Sequence, residues 1–309
     1  MVKFRINYLS MNNYQQWQWQ GFNIAYQQCG EKGASVVFIH GFGANSGHWR
    51  HNLKVIGENY RCYAIDLLGF GASDKPLPNQ PLSYTFETWA KQVGDFCREV
   101  VKTPVILVGN SIGCVVTMQT AVDYPDLVTK IAAFNCSLRL LNERKRLTLP
   151  WYRNLGATVM QKVLTNRAIA SYFYNQIAKP QVIRKILTQA YKKQEAITDE
   201  LIEIIYKPSQ DKGAVDVFVA FTGYSSGPIP EDLLPILPCP ITFFWGAEDP
   251  WESIELGREL ANYPCVEDFI ELEGLGHCPQ DEAPEIVNPL LLNWLETSSP
   301  KLNEKSIEK

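Results

Sequence analysis

PVILVGNS (104–111), continued by Ile112 and Gly113, decides how the rest of the chain is read. An apolar run without polar alternation, closing on a glycine, reads as a strand buried on both faces of a sheet, and the residues after Gly113 read as helix. Gly109-Asn110-Ser111-Ile112-Gly113 therefore occupies the strand, tight turn, helix context that a GxSxG elbow requires. The two glycines are a physical necessity. In so sharp a turn a Cβ at either flanking position meets neighbouring backbone, and Ser111 is held with its hydroxyl above the strand end.

Working outward, SVVFIHG (35–41), RCYAIDLLG (61–69) and KIAAFNC (130–136) are runs of the same kind. TFETWAKQVGDFCREVV (85–101) lies between two of them, with Trp89, Val93, Phe96 and Val100 on one helical face. Alternating strand and helix predicts an α/β architecture built on a mostly parallel sheet flanked by helices. FRINYL and WQWQGFNIAYQQCGEKG, upstream, read as antiparallel edge strands. The pattern stops near Ser137 and resumes at PCPITFFWG (238–246), with a last strand at EDFIELEG (267–274). The stretch between reads as helices, for example GATVMQKVLTNRAIA and QVIRKILTQAYKK. We expect a core formed by 1–137 and 226–298, a helical lid over 138–225, a closing helix in APEIVNPLLLNWLE and a frayed tail over 299–309.

The chain has 309 residues, 46% hydrophobic and 20% charged, which suits one catalytic core carrying an insertion. No stretch has the apolar length of a signal peptide or of a spanning helix, so the expectation is an intracellular protein, soluble or peripherally membrane-bound. Eight scattered cysteines without a CxxC pair read as free, mostly buried thiols and not as a metal site. The net charge of −4 hides an asymmetry, because residues 139–193 hold twelve Lys or Arg against the single acid Glu143.

A serine hydroxyl needs a base within hydrogen-bonding reach. The candidates are His40, His48, His51 and His277. His40 ends an earlier strand, and His48 and His51 fall in the helix expected after it. His277, in the loop EGLGHCPQDE after the last strand, comes above the sheet beside Ser111. Asp249, just after ITFFWG, is placed to orient the imidazole, with Glu248 its nearest competitor. Asp66 and Asp74 follow an earlier strand and read as turn residues. The oxyanion donors are expected to be the backbone N–H groups of Ile112 and Phe42, each worth about 10² to 10³ in rate.

With these motifs in place the chain resembles the α/β-hydrolase superfamily over nearly its whole length. HGFGANSGHWR, YAIDLLGFGASDKP, YTFETW, GAVDVF, EDLLP, WGAEDPWE, LGRE and GHCPQDEAPEIVNPLL are together similar to the plant and cyanobacterial chlorophyll dephytylase group. The resemblance implies cleavage of the phytyl ester of chlorophyll, with no metal and no cofactor. It also implies a triad of Ser111, His277 and Asp249, substrate contacts at His40, Gly41 and Trp151, and peripheral association with the thylakoid. Cys114 stands where relatives often carry another glycine, which alters packing of the elbow helix.

A hydrophobic ester is the expected partner: burying ten carbons of an isoprenoid chain supplies roughly 8 kcal/mol before ordering costs. The basic lid, with Trp151, Tyr152, Tyr172, Phe173 and Tyr174 among its cations, is a candidate for contact with anionic membrane. Nucleic acid is not an expected partner. A general esterase or lipase, or an acyltransferase, would use the same residues. A hydrophobic-ligand carrier would keep them without turnover. Epoxide hydrolases and dehalogenases of this fold place an aspartate at the elbow, and Ser111 argues against both.

Overall fold

A computed structural model describes residues 14–140, 142–146 and 166–297. FRINYL, Trp151, most of 156–170 and the 299–309 tail lie outside them. In chain order the elements are β1 (Tyr14–Trp19), β2 (Phe22–Cys29), β3 (Ser35–Ile39), α1 (Arg50–Ile56), β4 (Arg61–Ile65), α2 (Phe86–Phe96), β5 (Val105–Asn110), α3 (Ile112–Asp123) and β6 (Val128–Phe134). Then come α4 (Arg167–Ile177), α5 (Pro180–Ala190), α6 (Asp199–Ser209), α7 (Ala214–Gly223), β7 (Ile241–Gly246), α8 (Ile254–Glu259), β8 (Val266–Leu272) and α9 (Pro284–Thr297). Single-turn helices intervene, of which Ser46–Trp49 and Pro279–Glu282 matter below.

One eight-stranded sheet runs in the order β1-β2-β4-β3-β5-β6-β7-β8. β1 pairs antiparallel with β2, and β2 with β4, while every pairing from β4 to β8 is parallel. Both faces are covered, so β3 and β5 are buried at every residue. Val105 and Leu107 pack with Trp89, Val93 and Val115 on one side, and Ile106 and Val108 with Trp49, Leu291 and Trp294 on the other.

Local chemistry starts the helices where they are needed. Thr85 caps α2 by accepting from Thr88 N, and Asn166 and Thr198 cap α4 and α6 in the same way. The α5–α6 pair has its own small core of Ile183, Leu187, Tyr191, Leu201 and Ile202, which also receives Cys278 from the loop after β8. All eight cysteines are free, six of them buried and Cys29 and Cys265 partly so. Among the described residues no helix is long and apolar enough to cross a membrane.

The parallel register aligns the strand ends that carry chemistry. Ile39 lies beside Gly109, Asn110 beside Phe134, Phe134 beside Phe244, and Gly246 beside Leu272. The loops after β3, β5, β6, β7 and β8 therefore open on one edge, as expected where an α/β sheet reverses its strand order.

Candidate active site

Ser111 sits between β5 and α3 with φ +55° and ψ −120°, a conformation that an L-residue holds only under constraint. The constraint is local: Ser111 N donates to Phe134 O at 3.0 Å, and its carbonyl accepts from Ser137 N and Cys114 N, each at 3.1 Å. The glycines are required as the sequence predicts. A Cβ on Gly109 would lie 2.7 Å from Cys114 N, and one on Gly113 only 2.4 Å from Ile39 O. Cys114 is fully buried and points its thiol at Phe134 O, 3.4 Å away.

His277 and Asp249 are brought together. His277 Nδ1 lies 2.7 Å from Asp249 Oδ2. Every acceptor position of Asp249 is used: Oδ2 also accepts from Asn135 Nδ2 at 2.8 Å, and Oδ1 accepts from Trp251 N at 2.8 Å and Glu252 N at 3.1 Å. A carboxylate so held leaves the imidazole with its proton on Nδ1 and Nε2 free to accept. Glu248, the alternative acid, is half-exposed and pairs with Lys192 Nζ at 2.7 Å. The Asn110 side chain joins the loops, donating to His277 O at 3.1 Å and to Phe134 O at 3.2 Å.

Gly41 lies against the elbow, since a Cβ there would come 3.2 Å from Ser111 Cβ and Asn110 Oδ1. That keeps the Gly41-Phe42 backbone close to the serine, and Ile112 opens α3 directly after it. The Phe42 ring stacks on Phe221 of α7 at 4.7 Å between centroids and is 38% exposed. His40 is placed differently from the expectation that it meets substrate. It is fully buried, its Nδ1 donates to Gly41 O at 2.8 Å and its Nε2 accepts from Leu67 N at 3.1 Å. With both nitrogens engaged, it shapes the turn. His48 is also buried, which pushes it down to about 4, and His51 stands in α1. Asp66 accepts from Ser46 N and Ala72 N, and Asp74 from Asn23 N, so both are turn residues as read.

The site is tied to the inserted helices. His277 N donates to Ala190 O at the end of α5, 2.9 Å away. The Glu282 carboxylate accepts from Lys192 N at 2.6 Å, Lys193 N at 2.7 Å and Gly276 N at 2.8 Å. Tyr191 donates to Asp281 Oδ2 at 2.7 Å. Between the core and α4–α7 lies a cavity of about 160 Å³, lined by Phe42, Phe70, Ile183, Ile186, Ile205 and Phe218 among others. Sequence reasoning missed Asn135, Trp251, Glu252 and Glu282. Of these, Asn135 carried one signal, an asparagine directly after a buried strand where a left-handed residue fits, and its φ is +44°.

The alpha/beta hydrolase family matches residues 36–290. The chain is similar to a chloroplastic pheophytinase from Arabidopsis thaliana, 26% identical over 296 residues, which cover 84% of this chain and 61% of that protein. It spans, that is, a little under two thirds of that relative's length. It is also similar to the uncharacterized hydrolase YugF from Bacillus subtilis (strain 168), 24% identical over 277 residues that cover 89% of this chain and 95% of that one. Its fold is shared with the epoxide hydrolase CorEH, at a TM-score of 0.76 and 19% identity over 93% of this chain and 99% of the other. The parallel sheet, the serine elbow and the match over residues 36–290 agree: the chain belongs to the α/β-hydrolase family.

Proposed function

We propose that the protein hydrolyses a carboxylic ester through Ser111, His277 and Asp249. The observation that carries this reading is the His277–Asp249 pair, its carboxylate saturated with donors, on the same sheet edge as the strained serine elbow. Ser111 gives its proton to His277 Nε2 as Oγ attacks the ester carbonyl. The N–H groups of Phe42 and Ile112 receive the oxyanion. The imidazolium then protonates the departing alcohol, and water, activated by His277, releases the acid from Ser111. Although epoxide hydrolases share the fold, serine at position 111 favours acyl transfer.

The apolar cavity beside Phe42 supports a hydrophobic ester, each buried CH₂ adding about 0.8 kcal/mol. Similarity to a chloroplastic pheophytinase supports the phytyl ester of chlorophyll as the substrate class, giving chlorophyllide and phytol. Contact with an anionic membrane through α4 is part of the proposal. Ile169, Tyr172 and Phe173 are exposed there, Tyr172 at 70%. Charge contributes less than the composition promised: Arg167, Arg184, Lys192 and Lys193 are each paired with a carboxylate.

Incubating the protein with chlorophyll a in detergent, with Ser111→Ala as control, tests the reading. Chlorophyllide and phytol from the unaltered protein alone support it. Cleavage of simple esters without pigment turnover would leave the esterase and refute the substrate. A protein that neither cleaves esters nor reacts with a fluorophosphonate would be a binding module.

A further inference from the structure

Glu252 is a partly buried acid to which the scheme above gives no part. It shares the loop of Asp249: its N–H donates to Asp249 Oδ1 at 3.1 Å, and its carbonyl accepts from Trp245 Nε1 at 3.0 Å. Trp251, just before it, sets its ring edge-on to the His277 imidazole at 4.9 Å between centroids. The Glu252 carboxylate accepts from Leu138 N at 3.0 Å. Leu138 lies past the end of β6, on the way into the inserted helices. One side chain thus joins the loop carrying the orienting acid to the root of the insertion.

The ionisable groups around it are few. His277 and Asp249 face it from the site, and the Cys136 thiol from the end of β6. Across Leu138, Lys145 Nζ donates to Leu138 O and pairs with Glu231, both at 2.6 Å. Burial pushes the Glu252 carboxyl up to about 6, with Asp249 adding to the shift and the Leu138 N–H, His277 and the Ser137 hydroxyl opposing it. Keeping a carboxylate in such a place costs stability that a neutral residue would not. An acid held at a cost beside a base is the pattern of a residue retained for chemistry.

We propose that Glu252 is a positioning residue for the hydrolysis: its carboxylate stabilises the imidazolium that forms on His277 and fastens Leu138 to the Asp249 loop. Protonation removes the charge, so turnover falls on the acid side through two coupled groups instead of one. The inference rests on the assignment of His277 as the base.

The test is the pH dependence of kcat/KM with p-nitrophenyl butyrate for the unaltered protein, Glu252→Gln, Glu252→Asp and Ser111→Ala, each with a melting curve. The unaltered protein should show an acid limb steeper than one proton. In Glu252→Gln the limb should follow one proton and move down by about one pH unit, because the imidazolium has lost its support. Its plateau kcat should fall about tenfold with KM little changed. Glu252→Asp, which keeps the charge, should restore part of the lost rate, and it serves as the test should the glutamine variant not fold. A Glu252→Gln profile that overlays that of the unaltered protein would overturn the proposal, as would a change in melting temperature alone. Activity surviving in Ser111→Ala would instead overturn the assignment of the site, whatever the Glu252 variants do.

Discussion

Replacing Asp249 by asparagine isolates what the carboxylate does, because the structure dictates which way the new amide must face. Asp249 accepts two hydrogen bonds at each oxygen, and asparagine keeps only one acceptor. The Oδ1 partners are the backbone N–H groups of Trp251 and Glu252, which cannot turn away, so the amide oxygen must take that side. The NH₂ group is then left at the Oδ2 position, facing Asn135 Nδ2 and His277 Nδ1. Asn135 cannot invert to oblige, because its own oxygen accepts from Gly246 N at 3.0 Å. His277 can, by moving its proton to Nε2, and in doing so it ceases to be a base toward Ser111. Loss of the correct tautomer costs about 10⁴ in kcat, or roughly 5.4 kcal/mol of barrier. The donor of Asn135 left facing another donor costs a further 1–3 kcal/mol of stability, on the order of a single unpaired buried group. Turnover of an activated ester, with fluorophosphonate labelling and a melting curve, reads both terms. Asp249→Asn keeping more than about a tenth of kcat would refute the argument.

Other expectations follow from the same geometry. Burial holds His48 down to about 4 in the folded protein, whereas the unfolded chain takes up that proton near 6.5. The stability His48 contributes is thus complete above pH 6.5 and lost as pH falls toward 4, about 3 kcal/mol in all; thermal melting of His48→Gln should show a weaker dependence over that window. Gly113→Ala puts a Cβ 2.4 Å from Ile39 O and 2.8 Å from His40 O. It should cost about 1–3 kcal/mol and slow fluorophosphonate labelling, since β3 and the Phe42 loop must yield. Glu282→Ala strands the N–H groups of Lys192, Lys193 and Gly276 and should cost at least about 2 kcal/mol. Limited proteolysis should then cut near 190–194 before the core is attacked.

The α/β core was legible because its strands are buried on both faces, which leaves continuous apolar runs with little else to mean. The elbow was legible because its glycines answer a steric demand fixed by the turn itself. Ser111, Asp249 and His277 each follow a strand, so strand ends located them. His40 was not legible as a core residue: an HG pair after a strand reads the same whether the ring faces substrate or bonds to Gly41 and Leu67. The basic stretch misled for another reason. Arg167, Lys192 and Lys193 meet Asp216, Glu248 and Glu285 from distant parts of the chain, and pairings between distant segments leave no trace in local composition. Glu252 and Glu282 were silent too, because the backbone N–H groups that their carboxylates accept from are ones any residue supplies.

The splice between α5 and the His277 loop has a consequence for redesign. An insertion exchanged in one piece between β6 and β7 would carry away Ala190 and the N–H groups of Lys192 and Lys193, and with them the footing of the His277 loop. An exchange that stops before Leu187 keeps that footing and still replaces Ile183 and Ile186 in the wall of the cavity. The cavity wall can be rewritten from the α4 side of the insertion; residues 187–193 belong, in practice, to the loop that holds His277.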